Sequence, residues 1–337
     1  MKGNKNMKGI PSPYCVTAKM LSAGELLSIT KNVIKTNKYM TFTADIESLL
    51  GGVLLLGHGY MQTNGTWLEI GEEEIEAFSY FSYSDPQKKL KAKVNHGLKI
   101  KSFITVSIDF DIATTTATVV LMSEDGMFKT DVPGWFGADG EIFASFTAAD
   151  AKNCKLNWST PDFTKPIWLI GASYTGFGHD ARWPFYLRRD GYLNLLAMGF
   201  PGMNGQRAIA ELRAVIDKGN PEFAIWGIGM NNGDSADKIN PDYVKTTEEF
   251  IALCEERGIV PILSTIPNCP KVNNRYKNEW IRNSGYRYID LCRSVGADDD
   301  VWWYPGMISA DQIHPTALGA QAFYAQVLAD FPEMMFK

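Results

Sequence analysis

The sequence predicts two domains of different class: an all-β sandwich over residues 1–160 and an α/β domain with a parallel sheet over residues 165–337. Three observations predict this. Apolar residues recur with a period of two in the first half, and continuous apolar runs alternate with helical spacing in the second. A chain of 337 residues also exceeds the usual size of one domain. Hydrophobic content of 45% and aromatic content of 12% suffice for two buried cores, so disorder is not the expectation.

The first half reads as short strands. Met40, Phe42, Ala44 and Ile46 alternate with Thr41, Thr43 and Asp45, and Ile104, Val106, Ile108, Phe110 and Ile112 alternate with polar neighbours. That pattern gives one buried and one wet face. Residues 53–56, 67–70, 75–83, 117–122 and 141–146 add further strands, separated by turn-rich clusters such as 62–65 and 138–140. Strands without convincing helices between them predict an antiparallel sandwich.

The character changes after Ser159-Thr160-Pro161-Asp162, read as a linker. Residues 167–170 are a continuous apolar run ending at Gly171, as expected of a strand buried on both faces of a parallel sheet. Residues 195–198, 223–228, 259–266 and 286–291 continue the strands. Ala208, Ile209, Leu212, Val215 and Ile216 have helical spacing, and further helices are expected up to Gly258, over 274–283 and over 315–328. Strand and helix in alternation predict a three-layer fold.

Composition excludes several functions. A net charge of −5 with no basic stripe argues against a nucleic-acid partner. No run approaches the length of a membrane helix, so no membrane partner is expected. Residues 1–20 lack an apolar signal-peptide segment, which points to the cytoplasm, or to export if the sequence is a processed form. Cys15, Cys154, Cys254, Cys269 and Cys292 are few and scattered, so free buried thiols are expected rather than a zinc site or disulfide framework. No metal or organic cofactor is called for, and the oligomeric state is left open.

Ligands of doubly wound sheets bind beyond the carboxyl ends of the strands, and three segments place chemistry there. Gly171-Ala172-Ser173-Tyr174 sets a serine hydroxyl just past a strand; the competing reading is a helix N-cap. Asp311-Gln312-Ile313-His314 puts a carboxylate three residues before a histidine. The carboxylate can accept the Nδ1 proton and free Nε2 to act as base; the competing reading is a capping Asp beside a solvated His. Gly202, in Gly199-Phe200-Pro201-Gly202, and Asn231, in Gly229-Met230-Asn231-Asn232, are candidate oxyanion donors, though both are also ordinary turn formers.

Taken in order, GAS, GFPG, GMNN and DQIH resemble the four motif blocks of the SGNH (GDSL-type) hydrolases, over roughly residues 165–330. The resemblance implies a three-layer, flavodoxin-like domain that hydrolyses carboxylic esters. It implies Ser173 as nucleophile, His314 as base and Asp311 as the group that orients it. The Ser173 and Gly202 N–H groups and the Asn231 side chain would form the oxyanion hole. Ala172 and Asn232 depart from the pattern, which has Asp at the first position and often at the second.

The first domain resembles a concanavalin-A-like or laminin-G-like jelly roll, on strand pattern alone. Such modules often bind glycans, and Tyr60, Trp67, Tyr80 and Trp135 are candidate aromatic platforms, with core packing as the competing role. A short acyl group, acetyl first, on a carbohydrate is therefore the expected substrate. A lipase-like or thioesterase-like acyl hydrolase and a catalytically silent glycan-binding protein are the alternatives. Arg182, Trp183, Trp302 and Trp303 are candidates to line the acceptor pocket or to pack between elements. His58 and His96 are read as structural, and His179 as a rival base without a carboxylate partner three residues before it.

Overall fold

The computed structural model describes residues 14–25, 27–29, 38–49, 51–60, 64–80, 89–100, 102–111, 116–133, 141–175, 181–199, 202–297 and 302–335. The sequence expectations at Trp135, His179, Phe200, Pro201 and the turn at 138–140 lie outside the described residues. So do the side chains of Cys15, His58, Tyr60 and Tyr80. The chain folds as two compact units, one of them Tyr14–Thr160 and the other starting, among the described residues, at Pro161.

The first unit holds strands β1 (Tyr14–Met20), β2 (Leu27–Ile29), β3 (Lys38–Asp45), β4 (Leu54–Tyr60), β5 (Asn64–Ile70), β6 (Glu74–Tyr80), β7 (Lys89–Asn95), β8 (Phe103–Asp111), β9 (Thr116–Ser123), β10 (Gly126–Pro133), β11 (Glu141–Phe146) and β12 (Lys152–Pro161). They form two six-stranded sheets, ordered β1-β12-β3-β8-β9-β10 and β2-β11-β4-β5-β6-β7. Pairs such as β8–β9 and β5–β6 are antiparallel. The period-two residues explain the pairing: Phe42, Ala44, Ile104, Val106, Ile108, Val119 and Leu121 of one sheet join Leu54, Leu56, Leu68, Ile70 and Ile75 of the other in one buried cluster. The boundary between the units falls inside the expected linker at 159–162, although Ser159 to Pro161 end strand β12 rather than forming irregular chain. Trp67 is 3% exposed and stacks on Phe78 at 5.7 Å, so it packs in the unit's interior and is no glycan platform. His96 is structural: its Nε2 bonds the Gly71 carbonyl at 3.1 Å and its Nδ1 accepts from the Leu98 N–H at 3.2 Å.

The second unit contains β13 (Ile167–Gly171), α1 (Trp183–Arg189), β14 (Leu195–Gly199), α2 (Gly205–Val215), β15 (Phe223–Gly227), α3 (Pro241–Glu255), β16 (Val260–Ser264), α4 (Arg275–Asn283), β17 (Tyr288–Ile289), α5 (Leu291–Ser294) and α6 (Ala317–Asp330). The five strands are parallel, ordered β14-β13-β15-β16-β17. The apolar runs form these strands because the sheet is covered on both faces, and β13 and the edge strand β14 are buried throughout. Helices α1 and α5 both pack against α6, and α2 packs against α3, which gives a helical layer on each face. Asn204, Asn240 and Thr316 cap α2, α3 and α6 by accepting backbone N–H bonds.

This strand order reverses direction between β13 and β15, the position at which a doubly wound sheet opens a crevice. Register sharpens the placement. Gly171 of β13 is level with Gly199 of β14 and with Gly227 of β15, so three strand ends lie side by side, about 4.8 Å apart. Ser173, Gly202 and Asn231 follow these ends by two, three and four residues. Among the described residues no helix is long and apolar enough to cross a membrane. Cys154, Cys254, Cys269 and Cys292 are buried thiols outside any disulfide.

Candidate active site

Ser173 stands in a turn directly after β13, 6% exposed. The turn closes through the Thr175 N–H and hydroxyl, both donating to the Ala172 carbonyl, at 3.2 and 2.9 Å. It needs Gly171: a Cβ there would lie 2.1 Å from Thr175 Oγ1 and 2.8 Å from Thr175 Cβ. The same threonine covers Gly227, whose Cβ would meet Thr175 Cγ2 at 3.3 Å. Small residues at two of the level strand ends thus let the serine turn settle against the sheet. Ser173 does not cap a helix, since the next described helix begins at Trp183 with Arg182 as its N-cap.

His314 comes from a loop 141 positions further on. The loop is closed by the Ser309 N–H on the His314 carbonyl at 2.8 Å and by the Ile308–Pro315 bridge. Asp311 organises it: Oδ1 accepts from the Ser309 hydroxyl at 2.6 Å and from the Ile313 and His314 N–H groups at 2.9 Å each. Oδ2 faces His314 Nδ1 at 2.6 Å, and His314 Nε2 faces Ser173 Oγ at 2.8 Å. A carboxylate only accepts, so Nδ1 carries the hydrogen and Nε2 offers its lone pair to the Ser173 hydroxyl. Partial burial works to raise the Asp311 carboxyl, but the hydrogen bonds from Ser309, His314 and Ile313 outweigh it and hold the group well below the usual carboxylate range. Asp311 is therefore ionised at neutral pH. The helix-capping role belongs to Thr316 instead.

Gly202 and Asn231 are drawn together by their loops. Asn231 Nδ2 donates to the Met203 carbonyl at 2.9 Å, one residue past Gly202. Asn232 Oδ1 accepts from the Gly205 N–H at 2.7 Å, and its Nδ2 reaches Gln206 Oε1 at 3.4 Å. Asn231 thus stitches the loop after β15 to the loop before α2, and Asn232 stitches it to the first turn of α2.

Two further residues shape the site and were not singled out in the sequence. Tyr174 donates its hydroxyl hydrogen to the Ile313 carbonyl, lies edge-on to the His314 ring at 5.9 Å and stacks on Phe323. Lys277 is wholly buried on α4. Burial lowers its ammonium, against the opposing pull of Asp234. A signal for it existed: Asn274, Lys277, Asn278 and Ile281 follow the i, i+3, i+4, i+7 spacing of one helical face, and all four are buried.

The acceptor-pocket candidates divide. Trp183 and Trp303 are 1% and 7% exposed and belong to the apolar core, because their nearness to the motifs is one of sequence, not of surface. Arg182 is half-buried, while Trp302 is 68% exposed and Tyr304 56%. Among the described residues no group of three or more His, Cys, Asp or Glu side chains is gathered as a metal site.

No protein-family model matches the sequence, and no curated protein matches it. Among solved structures, the chain is similar to a lipolytic protein of the G-D-S-L family from Desulfitobacterium hafniense, at 16% identity and a TM-score of 0.43, covering 50% of this chain and 100% of that one. It is also similar to a GDSL-like lipase from Bacteroides thetaiotaomicron, at 14% identity and a TM-score of 0.41, covering 50% and 88%. A carbohydrate esterase family 3 protein from Talaromyces cellulolyticus aligns at 13% identity and a TM-score of 0.40, covering 50% and 97%.

Proposed function

We propose that the second unit is a serine carboxylic-ester hydrolase. The observation that carries this reading is the unbroken chain from Asp311 Oδ2 through the His314 ring to Ser173 Oγ, with links of 2.6 and 2.8 Å. A hydroxyl becomes a competent nucleophile only beside an oriented base, and this arrangement supplies one.

Ser173 Oγ attacks the ester carbonyl carbon while its proton passes to His314 Nε2. The resulting imidazolium is stabilised by the ionised Asp311. The carbonyl oxygen takes up negative charge, and the Ser173 and Gly202 N–H groups and the Asn231 amide are the donors we assign to it. Collapse breaks the bond to the alcohol, which leaves with the proton from Nε2. A water then loses its proton to Nε2 and attacks the acyl-serine, and the carboxylic acid departs as Ser173 regains its hydrogen. The residues of this chain account for every proton.

For the substrate we propose a short acyl group, acetyl first, esterified to a carbohydrate. Trp302 and Tyr304 are exposed and offer aromatic surface on which a sugar ring can stack. The test compares wild type with Ser173→Ala on p-nitrophenyl acetate, on longer p-nitrophenyl esters and on acetylated saccharides. Turnover at least about a thousandfold lower in the variant, with its fold intact, is expected. An unchanged rate overturns the hydrolase. Rates that climb with acyl length, without acetate release from saccharides, overturn the substrate and favour a lipase-like or thioesterase-like enzyme. A serine that never reacts with a fluorophosphonate would instead favour a silent glycan-binding protein.

A further inference from the structure

Lysine is among the residues least often fully buried, and Lys277 has no exposed side-chain surface. Its three ammonium hydrogens meet three acceptors: the Gly229 carbonyl at 2.9 Å, the Asn232 carbonyl at 2.8 Å and Asn274 Oδ1 at 2.7 Å. The first two flank Asn231 on either side. Asp234, equally buried, lies 3.8 Å from the ammonium, and the Tyr243 ring centroid 4.9 Å away. Asp234 also receives the Lys277 backbone N–H at 2.9 Å and the Asn240 N–H at 3.0 Å, which ties the loop after β15 to the starts of both α4 and α3.

The motif glycine belongs to the same arrangement. Gly229 stands at φ +152°, and a Cβ there would meet Ile266 Cγ1 at 2.7 Å and Lys277 Cδ at 3.0 Å. The lysine stem passes where a side chain at 229 would be. The backbone of residues 229–232 therefore wraps the lysine, fixed by its stem on one side and its charge on the other. A short loop held at two carbonyls has little freedom left between them, and the two residues between them are Met230 and Asn231.

We propose that Lys277 is a positioning residue for the Asn231 oxyanion donor, clamping the carbonyls on both sides of it so that the amide is presented in one orientation. The proposal rests on the hydrolase reading above. Pre-organised donors act only if they are already aimed when charge develops, so a loosened Asn231 lowers the chemical step more than substrate binding.

The test uses the full chain. Active sites in wild type and Lys277→Met are titrated to completion with a fluorophosphonate, and turnover of p-nitrophenyl acetate is measured per titrated site. The expected result is a kcat per site reduced about tenfold to a hundredfold, with KM within about threefold. In an Asn231→Ala background the same substitution should cost no more than about twofold further, because the donor it serves is gone. A purely structural lysine would reduce the number of titratable sites and leave turnover per site unchanged, and that result overturns the proposal. So does a full additional loss in the Asn231→Ala background. Should Lys277→Met not fold, the pair Lys277→Met/Asp234→Asn, which removes both buried charges together, takes its place. Failure of both to fold marks Lys277 as structural and also overturns the proposal. A wild type that neither labels nor hydrolyses in a Ser173-dependent way refutes the hydrolase itself, a failure distinct from these.

Discussion

The Tyr174 hydroxyl donates its hydrogen to the carbonyl of Ile313, so the residue after the serine holds the residue before the histidine. The ring that carries the hydroxyl is pinned between the His314 imidazole and Phe323. Burial raises this hydroxyl well above the ordinary tyrosine range, which keeps it a neutral donor. The 2.8 Å approach of His314 to Ser173 thus depends on a strut that spans the two loops.

Removing only that hydroxyl, by Tyr174→Phe, leaves the ring packing and strands the Ile313 carbonyl. We expect about 1–2 kcal/mol lost in urea denaturation and a turnover on p-nitrophenyl acetate about tenfold lower. Unaltered stability together with unaltered turnover would show that the strut is not needed.

Much of this site is legible in the sequence, because the residues that carry it sit at strand ends. Ser173 two residues past an apolar run, and Asp311 three before His314, announce themselves by type and spacing. Tyr174 and Lys277 do not, since an aromatic in a turn and a lysine in a helix are ordinary; only the shared face with Asn274 and Ile281 sets Lys277 apart. Two of the strands not expected from the sequence, β7 and β10, are edge strands. Lys89, Lys91 and Lys93 alternate with Leu90, Ala92 and Val94 in the first, yet Leu90 is 51% exposed. In the second, the exposed Met127 breaks the alternation that marks paired strands. Trp183 and Trp303 mislead in the opposite direction, because proximity in sequence to a motif says nothing about which face of an element a side chain takes.

Asp311→Asn should separate orientation from charge. The amide can present an N–H to Nδ1 and hold the imidazole in the tautomer that cannot accept from Ser173. Turnover should fall about a hundredfold or more with the fold retained.

The same substitution predicts a pH effect. The folded-state Asp311 carboxyl is depressed, so its stabilisation is fully present above the ordinary aspartate value of about 3.9 and is lost as pH falls below it toward the folded value. Urea denaturation at pH 7 and pH 3 should therefore show wild type more stable than Asp311→Asn at the higher pH, with the gap narrowing at the lower. A gap of constant size would contradict the hydrogen-bonded, ionised carboxylate.

Gly171→Ala places a methyl group onto three atoms of Thr175, a buried residue that cannot swing away. Overpacking of this kind costs about 1–3 kcal/mol. Thr175→Ala removes two of the three obstructing atoms, Oγ1 and Cγ2, and leaves Cβ. The double variant should therefore recover part of the cost and be more stable than the sum of the two single changes predicts, by about 1 kcal/mol. Thermal or urea denaturation of the four proteins in this cycle measures that coupling, and strict additivity would refute the close approach.

Asn232, where the motif pattern often has Asp, gives the last prediction. Its Oδ1 accepts from the N–H of Gly205, the first residue of α2, and its backbone carbonyl accepts from Lys277. Asn232→Asp keeps the acceptor and adds a negative charge at a helix N-terminus, where the helix dipole favours it. The charge also lies near a buried ammonium. Its cost is the desolvation of a carboxylate at a site only 6% exposed. These contributions oppose one another, and stability should change by no more than about 1 kcal/mol. Turnover should stay within about threefold of wild type, since Asn231 keeps its bond to Met203 and its clamp on Lys277. Asn232→Ala, by contrast, strands the buried Gly205 N–H and should cost about 1–3 kcal/mol. A large loss in the aspartate variant would mean that the neutral amide is required in its own right, through the Nδ2 contact with Gln206.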